Sequence, residues 1–216
     1  MATAKTYLAV DLHLGYDWTP GQEQNIWDFL KMVHPDDKVI FPGDTLELAW
    51  RREEEVYKLP EYHQFITSPG DFIILEGNHD LQKGLPFILI GDIFICHGHQ
   101  FDVLADTAWK RFFYRFAPYV RNLWWQSPFE QKMSNNRNWQ VHNAVIWGRA
   151  VSWLEASPFR TLVMGHCHDS CIIERPELGK RLVALGSLAE DGVYGEIVDG
   201  RIIIRTVQKV WSYLAS

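Results

Sequence analysis

Short apolar runs that end in glycine and polar residues set the pattern of the chain. Three of them, Thr6 to Val10, Val39 to Phe41 and Phe72 to Leu75, are typical of buried strands. After the first run, Thr19-Pro20-Gly21-Gln22 combines an N-cap, a proline at the first helical position and a capping glutamine, which predicts the start of a helix. This half of the chain therefore predicts a β-α-β-α-β order and a mostly parallel sheet.

Hairpin signals replace this order after the third run. Two-residue turns at Gly91-Asp92 and Asp199-Gly200 each separate two apolar runs, and the second turn predicts a type I′ hairpin. The predicted fold class is therefore α+β (α/β-type), with two packed sheets and helices outside them. The strand patterns in this half are Phe87 to Ile90, Ile93 to Cys96, Leu162 to Met164, Arg181 to Leu185, Val193 to Val198 and Arg201 to Val207.

Residues 101–157 lack strand patterns and are predicted to be helical, because aromatic and apolar residues recur there at three- and four-residue steps. Within this segment, residues 107–150 carry seven basic residues, one acidic residue and eleven aromatic residues. We interpret the segment as a helical cap inserted in a single domain that spans residues 1–216. The alternative is a helix pair with a solvated basic face and an aromatic core.

Composition narrows the class of protein. The chain is 47% hydrophobic and 22% charged, as in ordinary globular proteins, and its formal charge of −6 argues against a general nucleic-acid binder. Three cysteines without a CxxC motif do not predict a disulfide framework. No signal peptide and no apolar run of about 18 residues is evident. We expect a cytoplasmic protein, and the aromatic cap suggests peripheral contact with the inner face of a membrane.

Polar residues with ligand chemistry follow five of the apolar runs. Six of the nine histidines lie in these few loops. Each motif alone is typical of a polar turn, but five together would leave costly buried groups unpaired unless they share a ligand. The motifs are Asp11-x-His13, Gly43-Asp44, Gly77-Asn78-His79-Asp80, His97-Gly98-His99 and Gly165-His166-Cys167-His168.

Imidazole, carboxylate and amide ligands together favour transition metals over Ca²⁺ or Mg²⁺ alone. Seven candidate ligands exceed what one tetrahedral ion uses, so we predict two divalent ions that share a bridging carboxylate. Mn is the favoured metal, and Fe, Zn and Co are the alternatives. Two ions about 3.5–4 Å apart can clamp a phosphate and lower the pKa of a bridging water.

In type and order, the five motifs resemble those of the calcineurin-like metallophosphoesterase family over nearly the whole chain. The resemblance implies a four-layer αββα sandwich and a hydrolase of phosphoesters. It also implies that His79 contacts the phosphate and protonates the leaving oxygen, while Glu47 pairs with that histidine and holds it protonated. The implied metal ligands are Asp11, His13 and His168 for one ion, Asn78, His97 and His166 for the other, and Asp44 as the bridge.

One branch of the family, the UDP-2,3-diacylglucosamine pyrophosphohydrolases, is similar in its opening Asp-Leu-His-Leu and in its basic helical cap. The segment from Gly43 to Trp50 is also close to that branch. Two positions differ, because the branch typically has Arg where His79 stands and Asp where His99 stands. The Gly-His-Thr-His-Arg-Pro motif of the branch is Gly165-His166-Cys167-His168-Asp169-Ser170 in this chain.

Three functions follow from this reading. The first is hydrolysis of a small phosphorylated or nucleotide-linked substrate, with lipid-bearing substrates such as UDP-2,3-diacylglucosamine included. Arg111 and Arg115 of the cap and Asn78 are the predicted substrate contacts. The second is a metal-dependent nuclease or cyclic-nucleotide phosphodiesterase, which the acidic charge disfavours. The third is a non-catalytic, metal-bound interaction module that uses the aromatic cap as a partner surface.

Overall fold

Two five-stranded sheets form the centre of the protein in the computed structural model, which describes residues 4–80, 84–103 and 137–207. The strands in chain order are β1 (Thr6–Leu8), β2 (Lys38–Phe41), β3 (Asp71–Ile74), β4 (Ile88–Ile90), β5 (Ile93–Ile95), β6 (Thr161–Met164), β7 (Cys171–Arg175), β8 (Lys180–Ala184), β9 (Val193–Val198) and β10 (Arg201–Thr206).

The first sheet has the order β10-β9-β1-β2-β3. Strands β1, β2 and β3 are parallel, with Tyr7 opposite Val39 and Val39 opposite Phe72. The predicted hairpin of β9 and β10 then adds antiparallel strands beside β1. Asp199 and Gly200 in its turn both have positive φ, as a type I′ turn requires. Because β1, β2 and β3 are parallel, their carboxyl ends lie at the same edge of the sheet.

The second sheet has the order β4-β5-β6-β8-β7. Strands β5, β6 and β8 are parallel, and β4 and β7 pair antiparallel at the two sides. The predicted hairpin around Gly91-Asp92 is confirmed as β4 and β5. Both sheets are therefore mixed.

The helices of the described residues flank these sheets. They are α1 (Pro20–Met32), α2 (Glu53–Val56), α3 (Pro60–Ile66), α4 (Arg137–Ala156) and α5 (Leu188–Asp191), with short 3₁₀ turns at His99–Phe101 and Pro176–Leu178. Helix α1 begins as predicted: Thr19 is its N-cap, and the Gln22 side chain accepts a hydrogen bond from the Thr19 backbone N–H at 3.0 Å.

Three apolar clusters separate four layers, and the alternation of side chains along the strands explains them. Leu8, Ile40 and Val183 point into the cluster between the sheets. Their neighbours on the same strands point outward, where Val39 packs with α1 and Leu182 packs with α4. The α+β, two-sheet fold with flanking helices is thus confirmed.

Helix α4 lies inside the segment predicted as a cap. Its Ile146, Ala150 and Leu154 are buried and pack against the outer face of the second sheet. This part of the segment forms the outer helical layer beside β6 and β8. Residues 104–136 lie outside the described residues, so the assignment of 101–157 as a cap within a single domain of residues 1–216 stays a prediction.

Two elements differ from the sequence patterns. The apolar run predicts a buried strand at β3, but Phe72, Ile73 and Ile74 are only half-buried because β3 is the edge strand of its sheet. Strand β7, Cys171–Arg175, was not predicted. It pairs antiparallel with β8, and its alternation of exposed and half-buried residues gives a weak apolar signal.

Candidate metal centre

The predicted ligands lie in loops that follow five parallel strands, three from the first sheet and two from the second. Asp11 and His13 follow β1, Asp44 follows β2, and Asn78 follows β3. Because the carboxyl ends of parallel strands meet at one edge of a sheet, loops far apart in sequence converge there. The ligands from the second sheet are His97 after β5, and His166 and His168 after β6.

Six of these residues form two groups of three whose ligand atoms lie within 4.8 Å of one another inside each group. One group is Asp11, His13 and His168, and the other is Asp44, His97 and His166. All seven predicted metal ligands converge on this region, because the Asn78 Oδ1 atom lies 3.1 Å from His97 Nε2.

Asp44 belongs to the second group and also faces the first. Its Oδ2 atom is 3.1 Å from His97 Nε2 and 3.9 Å from His13 Nε2. Its other oxygen, Oδ1, accepts a hydrogen bond of 2.8 Å from the backbone N–H of His79. One oxygen of this carboxylate thus faces a histidine from each group while the other is tied to the backbone.

Left-handed backbone conformations are concentrated at this edge. The φ angle is positive at five of the seven predicted ligands, although non-glycine residues rarely adopt this conformation. Such strain persists only where the surrounding structure imposes it, and it is typical of functional sites. The five residues are Asp11, His13, Asp44, His166 and His168, with φ values of 56°, 45°, 50°, 71° and 54°.

Two glycines allow the loops to approach this closely. A Cβ atom on Gly77 would lie 2.1 Å from Asp44 Oδ1, and one on Gly43 would lie 2.7 Å from the side chain of His97. Gly43 also has a φ of +93°. Any larger residue at these positions would displace the candidate ligands.

Each of the four histidines among the predicted ligands has one ring nitrogen close to an oxygen acceptor. Glu47 Oε2 lies 2.9 Å from His13 Nδ1, and the Pro42 carbonyl lies 2.9 Å from His97 Nδ1. An acceptor on one nitrogen fixes the proton there and leaves the other nitrogen as a donor to a metal. The remaining two contacts are His168 Nδ1 with Glu190 Oε1 and His166 Nε2 with Asp102 Oδ2, both 3.1 Å long.

Two buried atoms test whether a metal fits. Asp11 Oδ1 and His13 Nε2 have no hydrogen-bond partner among the described residues, and both belong to the same three-residue group. A buried polar atom without a partner costs about 1–3 kcal/mol. A bound cation would satisfy both atoms at once. The oxygen and imidazole donor set also suits a divalent transition metal, so the residues fit the predicted ion.

Glu47 joins the candidate metal ligands to His79. Its Oε1 atom lies 2.9 Å from His79 Nδ1, and its Oε2 atom lies 2.9 Å from His13 Nδ1. The two imidazole rings meet edge to face, 4.6 Å apart. Burial alone would raise the pKa of Glu47, but the charge of His79 and the hydrogen bonds from both rings outweigh burial and hold this pKa at about 2.

The carboxylates and imidazoles of the edge shift one another's pKa values. Burial would raise the pKa of Asp44, but the charges of His97 and His79 hold it well below its usual range. Burial would lower the pKa of His168, but Asp11 and Glu190 raise it to about 9. Metal binding must therefore displace protons from this edge, because imidazoles bind metals in their neutral form.

Asp102 and Glu190 belong to the site but were not predicted from sequence. Each contacts a candidate ligand from a distant part of the chain, and an isolated carboxylate gives no signal for such a role. Asp80 was noted only as part of a motif; its carboxylate accepts hydrogen bonds from the backbone N–H groups of Thr45 and Leu46. The predicted substrate contacts Arg111 and Arg115 lie outside the described residues.

The model of the calcineurin-like phosphoesterase family matches residues 7–170, which include all five motifs. The chain belongs to the calcineurin-like phosphoesterase family. The histidine and aspartate groups described above are candidate metal-binding groups of this family member. No match was found among curated protein sequences.

Solved structures with a similar fold have low sequence identity to this chain. A predicted phosphoesterase from Streptococcus pneumoniae TIGR4 is 16% identical, with a TM-score of 0.44, over 94% of this chain and 88% of the other. Vacuolar Protein Sorting 29 from Cryptosporidium parvum is 17% identical, with a TM-score of 0.43, over 94% and 95%. Vps29 from Entamoeba histolytica, solved with Zn²⁺, is 18% identical, with a TM-score of 0.40, over 93% and 97%.

Within residues 4–80, 84–103 and 137–207, none of the helices could cross a membrane.

Proposed function

We propose that the protein is a phosphoester hydrolase that depends on two divalent metal ions, with Mn²⁺ as the favoured metal. The observation that carries the proposal is the pair of three-residue groups, in which Asp44 belongs to one group and also faces His13 of the other. A single ion would leave one group of buried donors without a ligand, at a cost that the fold would have to offset. In this assignment Asp44 bridges, and Asn78 completes the set around His97 and His166.

Two bound ions would polarise the phosphate and activate the attacking water. The residues of the two groups would hold those ions in place. The backbone strain at Asp11, His13 and Asp44 and the outer acceptors of the histidines orient the donors before a ligand arrives. Orientation that is built into the fold lowers the cost of reaching the transition state.

His79 is the proposed general acid. Its Nδ1 atom is held by Glu47, so a protonated ring would present its Nε2–H toward a leaving oxygen. His79 is 8% exposed, compared with 1% for Glu47 behind it. His79 also forms a third group of possible metal-binding residues with His13 and Glu47, but its Nδ1 atom there is engaged by the Glu47 carboxylate, which supports a role in proton transfer.

The proposed substrate is a small phosphorylated or nucleotide-linked molecule, and UDP-2,3-diacylglucosamine is the lipid-bearing example. The support is the excess of basic and aromatic residues at positions 107–150, with seven basic residues against one acidic residue. Arg111 and Arg115 are the proposed phosphate contacts, because guanidinium groups bind phosphate through two parallel hydrogen bonds. The aromatic residues would contact an apolar or ring-bearing part of the substrate.

The test couples metal content to turnover. Protein stripped with a chelator is titrated with Mn²⁺ and assayed on bis-p-nitrophenyl phosphate, p-nitrophenyl phosphate, UDP-2,3-diacylglucosamine and a labelled oligonucleotide. We expect two ions per chain and Mn²⁺-dependent hydrolysis of the small esters. In Asp44→Asn, both ions should bind more weakly. A protein that binds two ions but hydrolyses nothing would support the interaction module, and preferential cleavage of the oligonucleotide would support the nuclease.

A further inference from the structure

A buried aspartate and a histidine of helix α4 stand behind one candidate metal ligand. Asp102 follows the 3₁₀ turn after the His97 loop and is 5% exposed. Its Oδ2 atom lies 3.1 Å from His166 Nε2 and 3.2 Å from His142 Nε2. His142 belongs to none of the five motifs, yet it lies one carboxylate away from a predicted ligand.

The geometry assigns the protons. A carboxylate oxygen accepts hydrogen bonds but cannot donate them, so two imidazole nitrogens that converge on Asp102 Oδ2 both act as N–H donors. His166 therefore carries its proton on Nε2 and keeps Nδ1 for a metal. The other three histidines have the reverse arrangement, because their Nδ1 atoms are held by Glu47, a carbonyl and Glu190.

The residue next to His142 fixes the same loop through the backbone. Asn143 is fully buried, and its Nδ2 atom donates to the carbonyl of Cys167 at 3.0 Å and to Asp169 Oδ2 at 2.7 Å. A flipped amide would set its oxygen against two acceptors, so the orientation of Asn143 is determined. His142 of α4 thus contacts His166 through Asp102, and Asn143, the next residue of α4, binds the backbone of Cys167, directly after His166.

We propose that Asp102 and His142 are positioning residues for the metal ligand His166. Asp102 fixes the tautomer and the ring orientation of His166, and His142 fixes Asp102 from the side of the helix. This inference rests on the proposed metal-dependent function, because it assigns His166 Nδ1 as a ligand atom. It goes beyond that function by adding a layer of residues that no motif contains.

A purely structural role gives a different expectation. If the side chains of Asp102, His142 and Asn143 only attach α4 to the core, their loss would lower the stability of the fold and weaken both ion sites equally. If they position His166, their loss would weaken mainly the ion held by Asp44, His97 and His166. Removal of such an outer partner typically weakens metal binding by roughly 10–100-fold.

The experiment measures the two Mn²⁺ dissociation constants by calorimetry on chelator-stripped protein. In Asp102→Ala, we expect one binding event to weaken by roughly 10–100-fold while the other keeps its dissociation constant. Asp102→Asn should weaken Mn²⁺ binding less, since its amide oxygen still accepts a hydrogen bond from the imidazole N–H groups. His142→Phe should weaken the same event by about tenfold, and His142→Gln, which keeps an N–H donor, should restore part of the loss. His63→Phe, at an exposed site on α3, is the matched control.

Two further readouts keep the outcomes separate. Thermal unfolding of each metal-free variant reports folding, and equal weakening of both events together with a lower Tm would overturn the positioning role. Unchanged dissociation constants in Asp102→Ala and His142→Phe would also overturn it. The ¹H–¹⁵N spectrum of the metal-free wild type should show His166 protonated on Nε2, whereas an Nδ1–H tautomer would contradict the assignment. If the wild type bound no metal, the proposed function would fail whatever the spectrum showed.

Discussion

Glu47→Gln perturbs the proposed catalytic arrangement at the carboxylate that joins His13 to His79. The Glu47 carboxylate is 1% exposed and accepts from His13 Nδ1 and His79 Nδ1, each at 2.9 Å. A glutamine keeps the shape but offers one acceptor and one donor group. Its NH₂ would face one of the two ring N–H groups, so one imidazole must change its tautomer or lose its bond.

The structure sets the size of the effect. The pKa of Glu47 is about 2 instead of 4.5, which at ~1.4 kcal/mol per pH unit corresponds to about 3 kcal/mol of favourable interaction in the metal-free protein. Because this pKa is lowered on folding, the stabilisation is present above pH 4.5 and is lost as the pH falls toward about 2. Glu47→Gln should therefore lower the free energy of unfolding by about 3 kcal/mol at pH 7, and by about 1 kcal/mol less at pH 3.5.

Urea titrations of chelator-stripped wild type and variant at both pH values measure this difference. Turnover of the Mn²⁺-loaded variant should also fall by roughly 10²–10⁴-fold, because His79, the proposed general acid, loses the carboxylate that orients its ring. Glu54→Gln, at an exposed position of α2, is the matched control and should change neither quantity. Equal stability and turnover in wild type and Glu47→Gln would refute the role assigned to this carboxylate.

Three other predictions concern the same edge and the fold that supports it. His79→Ala should retain both ions and lose roughly 10²–10⁴-fold in kcat; loss of metal instead, by elemental analysis, would make His79 a ligand. Gly77→Ala should destabilise the fold and weaken Mn²⁺ binding, because its Cβ would collide with Asp44. Gly148→Ala in α4, where a Cβ meets nothing within 4 Å, should instead raise the free energy of unfolding by about 0.5–1 kcal/mol. Denaturant titration measures both changes. Apparent Mn²⁺ affinity should rise with pH toward 9, because His168, whose pKa is about 9, must lose its proton, and pH-independent affinity would contradict this.

Local patterns predicted most of the fold because the strands here alternate regularly or are wholly apolar. Val39 to Phe41 and the Asp199-Gly200 turn gave signals that tertiary structure did not override. Strand β7 escaped prediction because pairing with β8, rather than its own composition, makes it a strand. The side position of β3 could not be foreseen either, since the order of strands in a sheet depends on contacts between distant segments.

The candidate ligands were recognisable because each directly follows an apolar run. The residues behind them were not, because a carboxylate such as Glu190 contacts its histidine from 22 positions away and Asp102 from 64 positions away. The Pro42 carbonyl, which holds His97, is a backbone atom and has no sequence signal at all. The inner layer of this site is therefore readable from sequence, and the layer that orients it requires coordinates.

Anomalous diffraction from crystals grown with Mn²⁺ tests the central claim most directly. The account predicts two manganese peaks about 3.5–4 Å apart, with an Asp44 oxygen bound to both, and with His166 bound through Nδ1. One manganese peak, or two peaks without Asp44 between them, would contradict it.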